Sequence, residues 1–310
     1  MTGSAPRSLL DEVDLAAAVG AAGGLGSVGT AVRSVDELQA QWHRLRGLAD
    51  RPFAINHTGR PFNPDAFAAT LEFAPAAISF HMGVPADLIA AAHERGIVWL
   101  QTVGDVDAAI AGIEAGADVL IAQGTEAGGN SGWVSTMVLV PAVVDVAGAV
   151  PVVAAGGIAD GRGIAAALAL GAQGVCLGTR FLATTEMTID AVWKDRIVAA
   201  GALDAAKVPH SELVMPPFTL PQLGVPFAPR ALRTDLVRQL EEEPGAVDPA
   251  EIGPRLLAAV RAGGGHDLLP FAGQSAALIH DIVPAGELVA RLVDQTADAL
   301  RHANEVAGIT

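Results

Sequence analysis

Between Pro151 and Thr185 the chain reads PVVAAGGIADGRGIAAALALGAQGVCLGTRFLATT. One apolar run, Pro151–Ala155, ends in Gly156-Gly157; a second, Gly174–Leu177, ends in Gly178-Thr179-Arg180. The alanine-rich stretch between them, Gly163–Leu170, has helical character. Two buried strands joined by a short helix make a βαβ unit, and such apolar runs suit a parallel sheet covered on both faces. Glycines at the carboxyl ends of adjacent strands let backbone N–H groups approach an anion closely. That chemistry is a phosphate cradle, which the loops after strands seven and eight of a (β/α)8 barrel commonly form. The plain alternative is a pair of helix-entry turns.

A second segment, Gly116–Gly132, reads GADVLIAQGTEAGGNSG. A strand at Val119–Ala122 delivers Gln123, Gly124, Glu126, Gly128, Gly129, Asn130 and Ser131 to its carboxyl-end loop. In a (β/α)8 enzyme that loop faces the active-site mouth. Gly128-Gly129 would let the backbone pass under a flat ring, and Gln123 and Asn130 offer amides to the edge of a heterocycle. A flexible loop with incidental polar residues is the other reading.

The elements that must position these residues follow a βα rhythm. Strand-like runs fall at Gly26–Gly29, Phe53–Asn56, Ala76–Phe80, Ile97–Gln101, Val119–Ala122, Val152–Ala154 and Val175–Leu177. Helical periodicity marks Leu15–Ala22, Val35–Ala49, Asn63–Phe73, Pro85–Glu94, Val106–Ala115, Val138–Val146 and Arg162–Leu170. The fold class is α/β, and the alternation predicts a TIM (β/α)8 barrel with a truncated first strand, since only Met1–Ala5 remain for an eighth position. A gap there would leave unpaired neighbours and invite solvent or a second subunit, hence a possible homodimer. After Thr185 the alternation stops, and proline and glycine clusters separate amphipathic stretches such as Leu232–Glu242 and Pro254–Ala262. The division expected is a barrel from 1–186 and 274–310, with a helical second domain inserted at 187–273 as a substrate or lid domain.

Composition narrows the classes. The 310 residues are 51% hydrophobic, with a net charge of −15 and one cysteine, Cys176, inside a strand run. Mean hydropathy is +0.41, yet no apolar stretch reaches the ~20 residues of a membrane span. The expectation is a cytoplasmic protein with no membrane or nucleic-acid partner, no metal cluster and a small-molecule substrate.

Seven motifs in order carry a family resemblance: LAAAVGAAGGLGSVG at Leu15–Gly29, PFAINHTG at Pro52–Gly59, AISFHMGVP at Ala77–Pro85, AQGTEAGGNSG at Ala122–Gly132, AAGGIADGRG at Ala154–Gly163, LGTRFLAT at Leu177–Thr184 and GQSAALIHDI at Gly273–Ile282. Together they resemble the nitronate monooxygenase (2-nitropropane dioxygenase) family of FMN-dependent barrel enzymes, which includes flavin-dependent enoyl-acyl-carrier-protein reductases. The resemblance implies an oxidoreductase flavoprotein, with FMN as cofactor, that oxidises alkyl nitronates with dioxygen. Gly157, Gly178 and Thr179 would bind the FMN phosphate, with Gly156 and Arg180 alongside. Asn56 and Gln123 would hydrogen-bond the flavin, Gly128 would lie close to it, and Gln274 with Ser275 would approach from the C-terminal loop. Ala5, Pro6, Gln101 and Ala155 complete the implied cofactor set, and Ser131 and Trp133 line the substrate side, Trp133 being either a pocket wall or plain packing.

Three positions depart from the family pattern. Arg7 stands where relatives carry a methionine after Ala-Pro, Gln101 where many carry a basic residue, and Asn130 where a histidine is the usual base. An amide accepts no proton at neutral pH, so Asn130 cannot act as that base. His81 is either a substitute base or a histidine that merely lines the pocket; His57 is a weaker candidate, and His210, His266 and His280 fall in the second domain or tail. An NAD(P)H-dependent reductase acting on an enoyl thioester or quinone, and a flavin-binding protein that has lost catalysis, remain alternatives.

Overall fold

The computed structural model describes residues 11–215 and 228–308. Ala5, Pro6 and Arg7 lie outside the described residues. The first nine helices and strands alternate from α1 (Val13–Ala21) through β1 (Gly26–Gly29), α2 (Val35–Leu48), β2 (Phe53–Thr58), α3 (Pro64–Phe73), β3 (Ala77–His81), α4 (Ala86–His93), β4 (Val98–Val103) to α5 (Val106–Glu114). There follow β5 (Val119–Gln123), a short β6 (Gly129–Ser131), α6 (Thr136–Ala147), β7 (Val152–Ala155), α7 (Gly161–Ala169), β8 (Gly174–Cys176) and the single turn α8 (Thr179–Leu182). All but β6 pair in parallel in chain order, β1-β2-β3-β4-β5-β7-β8, as a curled seven-stranded sheet. Local chemistry sets the helix starts: Ser34 and Glu37 form a reciprocal capping box on α2, and Asp105 and Asp160 cap α5 and α7.

Side chains alternate across each strand. One parity (Ile78 and Phe80 on β3, Trp99 and Val103 on β4, Leu120 and Ala122 on β5) packs against the helices as the largest core, where Phe80 stacks on Trp99 at 5.3 Å. The other parity places Asn56, Ser79, His81, Thr102 and Gln123 on the concave face; the Asn56 amide donates to Ser79 Oγ at 2.8 Å across one register pair. At β1, side chains also meet backbone groups of the strand's last residue. The Gly29 N–H donates to Glu12 Oε2 at 2.7 Å, and Arg33 Nη1 donates to the Gly29 carbonyl at 2.6 Å.

The 187–273 segment is not purely helical. It holds α9 (Ala191–Ala199), α10 (Asp235–Glu242) and α11 (Pro249–Arg261), but also β9 (Ala205–Lys207) and β10 (Ala228–Leu232). These strands join β6 in an antiparallel sheet of order β6-β10-β9. The helix expected from Leu232 begins only at Asp235, because Leu232 ends β10 and Thr234 caps α10. The chain then returns through a 3-10 turn, Gln274–Leu278, to α12 (Ala285–Ala307). No described helix is long and apolar enough to cross a membrane.

Helix α12 lies directly on the start of α7. A Cβ on Gly161 would sit 2.2 Å from the Gln295 carbonyl carbon and 2.3 Å from the Thr296 nitrogen, both backbone atoms that cannot swing aside. Gly161→Ala should therefore push α12 outward and cost about 1–3 kcal/mol in a urea unfolding experiment. A variant as stable as the parent would show that this contact is looser than the structure has it.

Candidate functional site

At the carboxyl ends of β5, β7 and β8 a cavity of about 270 Å³ is lined by Gly128, Gly156, Gly157, Cys176, Gly178 and Thr179, among others. Gly156 and Gly157 turn the chain through left-handed backbone, with φ of +100° and +74°, which glycine adopts at little cost. Gly178 is different. Its φ of −102° suits any residue, and a Cβ built there meets nothing within 4 Å. Its backbone therefore makes no demand for glycine; what a side chain would take away is space in the cavity. The C-terminal loop closes over this end, with the Gly273 N–H donating to Thr179 Oγ1 at 2.8 Å and Ser275 on the lining. Cys176 is exposed and opens onto the cavity.

Gln123 and Ala155 stand side by side on neighbouring strands and both face this cavity. On its other side Gln123 borders a second cavity, of about 230 Å³, with His81, Arg60 and Thr102. His81 is hydrogen-bonded to the Gln123 side chain and to the Asn130 backbone, and desolvation pushes it down to about 4. It is neutral at pH 7. Next to it Met82 adopts φ +65°, an unusual backbone for a non-glycine residue and one that turns the chain at the strand's end. Asn130 Oδ1 is buried with no hydrogen-bond partner. A buried acceptor left unsatisfied costs about 1–3 kcal/mol, so this one awaits a donor.

The structure thus gathers Gln123, Gly128, Ala155, Gly156, Gly157, Gly178, Thr179 and Ser275 around one cavity, with His81 and Asn130 beside it. Other candidates are placed elsewhere. Gln101 is fully buried on the helix-facing parity of β4, where its amide donates to the carbonyls of Gly83 (2.9 Å) and Thr102 (3.0 Å) and accepts from Trp99 Nε1 at 3.1 Å. Arg180 is buried too, and its guanidinium is tied to Asp281 at 2.8 Å rather than turned to the cavity. Ser131 is fully buried and accepts from Lys207 Nζ at 2.8 Å, while Gln274 is exposed. His57 lies between sheet and α3, its Nε2 2.9 Å from Thr70 Oγ1, and is pushed down to about 4 by burial. His266 pairs with Asp190 at 2.7 Å, and His210 and His280 are exposed; none of the three lines either cavity.

Two residues of the small sheet were not legible as site residues. Arg230 on β10 donates to the Thr125 carbonyl at 3.0 and 2.9 Å, and Lys207 on β9 donates to the Ser131 carbonyl at 2.6 Å; its Nζ also lies 5.1 Å from the ring centre of the half-exposed Trp133. Neither sits in a recognisable motif, and only the fold brings them to the glycine loop.

The nitronate monooxygenase family model matches residues 4–66 and 58–295. A nitronate monooxygenase of Paraburkholderia phytofirmans is 32% identical, over 98% of this chain and 94% of that one. The chain belongs to the nitronate monooxygenase family, a family of oxidoreductases. A (3aS,4S,5R,7aS)-5-hydroxy-7a-methyl-1-oxo-octahydro-1H-indene-4-carboxyl-CoA dehydrogenase of Mycobacterium tuberculosis is 39% identical over 73% of this chain, which spans 61% of that relative's length. Among solved structures, FabK from Thermotoga maritima superposes with a TM-score of 0.84 at 33% identity, covering 98% and 94% of the two chains. Nitroalkane oxidase from Streptomyces ansochromogenes does so with a TM-score of 0.78 at 30% identity, covering 97% and 96%.

This nitronate monooxygenase-family chain holds two histidines kept neutral by desolvation, and they give its stability a definite pH slope. His57 and His81 are pushed from 6.5 to about 4 in the folded state. Between those values the unfolded chain binds more protons than the folded one, so stability falls as pH falls. Each histidine contributes about 1.4 kcal/mol per pH unit across that window. Urea titrations between the two values should show the slope, and His57→Gln should remove one histidine's share. A His57→Gln protein with an unchanged slope would show that His57 protonates freely when folded.

Proposed function

We propose that this chain binds FMN and oxidises alkyl nitronates with dioxygen. The observation that carries the proposal is the cavity at Gly157 and Gly178, in a chain of the nitronate monooxygenase family. The residues present fit the cofactor on two counts: the space that a Cβ at Gly178 would take, and the orphaned acceptor on Asn130. The phosphate would lie on the backbone amides of Gly157, Gly178 and Thr179, beside Ala155 and Gly156, and the amides of Gln123 and Asn56 would meet the ring system. Bound FMN would supply reversible electron transfer between substrate and dioxygen. On this reading the seven-stranded sheet belongs to a (β/α)8 barrel, 1–186 with 274–310, and 187–273 forms a lid on its mouth.

The chain's own residues suit a substrate that arrives as an anion. Asn130 takes up no proton, and His81 is a weak base at about 4 with its ring already engaged by Gln123 and Asn130. A nitronate has already lost the proton that a neutral nitroalkane must give up. Trp133, half exposed at the exit of the glycine loop, would form an apolar wall for the alkyl part. A second reading, a reductase or dehydrogenase acting on a thioester, is favoured by the carboxyl-CoA dehydrogenase of Mycobacterium tuberculosis. Absorbance spectra of the purified protein, taken anaerobically before and after NADPH and then after a nitronate, separate the two. Bleaching by the nitronate alone supports the first reading; rapid bleaching by NADPH supports the second.

Two substitutions test the site itself. Gly178→Leu should leave the protein folded, because a Cβ there meets nothing within 4 Å and the side chain extends into the cavity, yet abolish flavin retention. A folded, fully yellow variant would mean that the cofactor lies elsewhere.

Asn130→His should restore a proton acceptor and raise turnover of neutral nitroalkanes, by as much as about 10²–10⁴-fold, the usual contribution of a general base. Preformed nitronates should gain far less. Equal gains for both forms would show that proton removal was not what Asn130 lacked.

A further inference from the structure

We propose that Lys207, reaching out of the 187–273 segment, is a positioning residue that fixes the Asn130 strand over the mouth of the parallel sheet. Its three N–H groups are shared among four oxygens within 3.0 Å, the Ser131 carbonyl (2.6 Å), Ser131 Oγ (2.8 Å), the Gly132 carbonyl (3.0 Å) and the Ala228 carbonyl (3.0 Å). Three of the four belong to the residues that immediately follow Asn130. At the other end of the same loop, Arg230 holds the Thr125 carbonyl through two hydrogen bonds and the Ala205 carbonyl through a third. Segment 125–132 is therefore gripped at entry and exit by two cations from outside the sheet. Strand β6 needs that grip, because it is three residues long and among the described residues pairs only with β10, too short to hold its place unaided. What it carries is the contact that matters: the Asn130 backbone is hydrogen-bonded to His81, and the unpaired Asn130 Oδ1 sits on the same residue.

The grip is electrostatic and so depends on the charge of Lys207. Among the described residues the charged groups around it are Arg230, directly opposite in the β9–β10 register, and Glu126, which acts on Arg230 from within the gripped loop. His81, across Asn130, is neutral. Burial first, then Arg230, push the Lys207 ammonium down to about 7, while the surrounding carbonyl oxygens favour the charged form. The charge is present below that value and lost above it, so the loop loosens as pH rises.

Hydrogen exchange of the 129–132 amides tests this in the purified protein, followed from about a unit below to about a unit above a pH of about 7 and corrected for intrinsic exchange. Protection should fall several-fold across the range in the parent, stay high in Lys207→Arg and be low throughout in Lys207→Met. The kinetic arm rests on the nitronate reading: kcat for a preformed nitronate should fall with the same midpoint, by up to about 100-fold for a loop displaced by an ångström, and Lys207→Arg should abolish that decline. Protection indifferent to pH in the parent overturns the proposal, and because it needs no variant it decides even if Lys207→Met fails to fold. A kcat indifferent to both pH and Lys207 overturns the positioning role. Protection that behaves as stated in a protein that turns over no nitronate overturns the reaction reading and leaves the grip standing.

Discussion

Everything at the mouth of this sheet depends on backbone meeting backbone with no side chain between. The loop that leaves β5 must pass under the C-terminal segment, and it does so at Gly128, where a Cβ would lie 2.7 Å from both the Ala272 carbonyl carbon and the Gly273 nitrogen. Gly273 faces the same contact from the other side, 2.6 Å from the Glu126 carbonyl oxygen. This close approach lets the Gln274 N–H reach the Glu126 carbonyl at 2.9 Å and the Gly273 N–H reach Thr179 Oγ1. Segments far apart in the chain thereby become one wall of one cavity. Gly128 is thus needed mainly for the chain that crosses it.

The same loop is fixed by charge at its middle. The Glu126 carboxylate accepts from the Thr136 N–H at 2.9 Å and from Thr136 Oγ1 at 2.7 Å, which ties the glycine loop to the first turn of α6. There the positive end of the helix dipole favours a carboxylate. Arg230, buried and attracted by Glu126, adds the 187–273 segment to this anchor. In a chain with 34 acidic and 19 basic residues, the cations that matter lie close to carbonyl oxygens, not in surface ion pairs. Exposed pairs such as Arg301–Asp298 or Arg255–Glu251 contribute little by comparison.

The parallel sheet was legible because each of its strands is a short, mostly apolar run closed by polar or glycine residues, as in AISFH and VLIAQ. The paired glycine sites were legible for the same reason: they end such runs. Strands β9 and β10 were not, since AAK and APRAL carry no period and exist only because β6 offers an edge to pair with. Gln101 shows a different failure. Its amide looked like a strand-end ligand, but counting by twos from the buried Trp99 places it among the helices and puts Thr102 at the mouth. Parity was in the sequence; the weight given to residue type obscured it. Arg180 is the same lesson for charge, since a buried guanidinium must be paired and Asp281 pairs it.

Asn130, an amide that takes up no proton at neutral pH, sets the character of the mouth. His81 is held neutral by desolvation, and Lys207 is engaged by four oxygens. An active site can still run on such a surface if the substrate brings its negative charge with it. The protein then has only to orient an anion and exclude water, tasks that suit amide donors and glycine backbone. Strand β6, where Asn130 stands, is held by pairing in the small antiparallel sheet and by the contact of the Asn130 backbone with His81 at the end of β3.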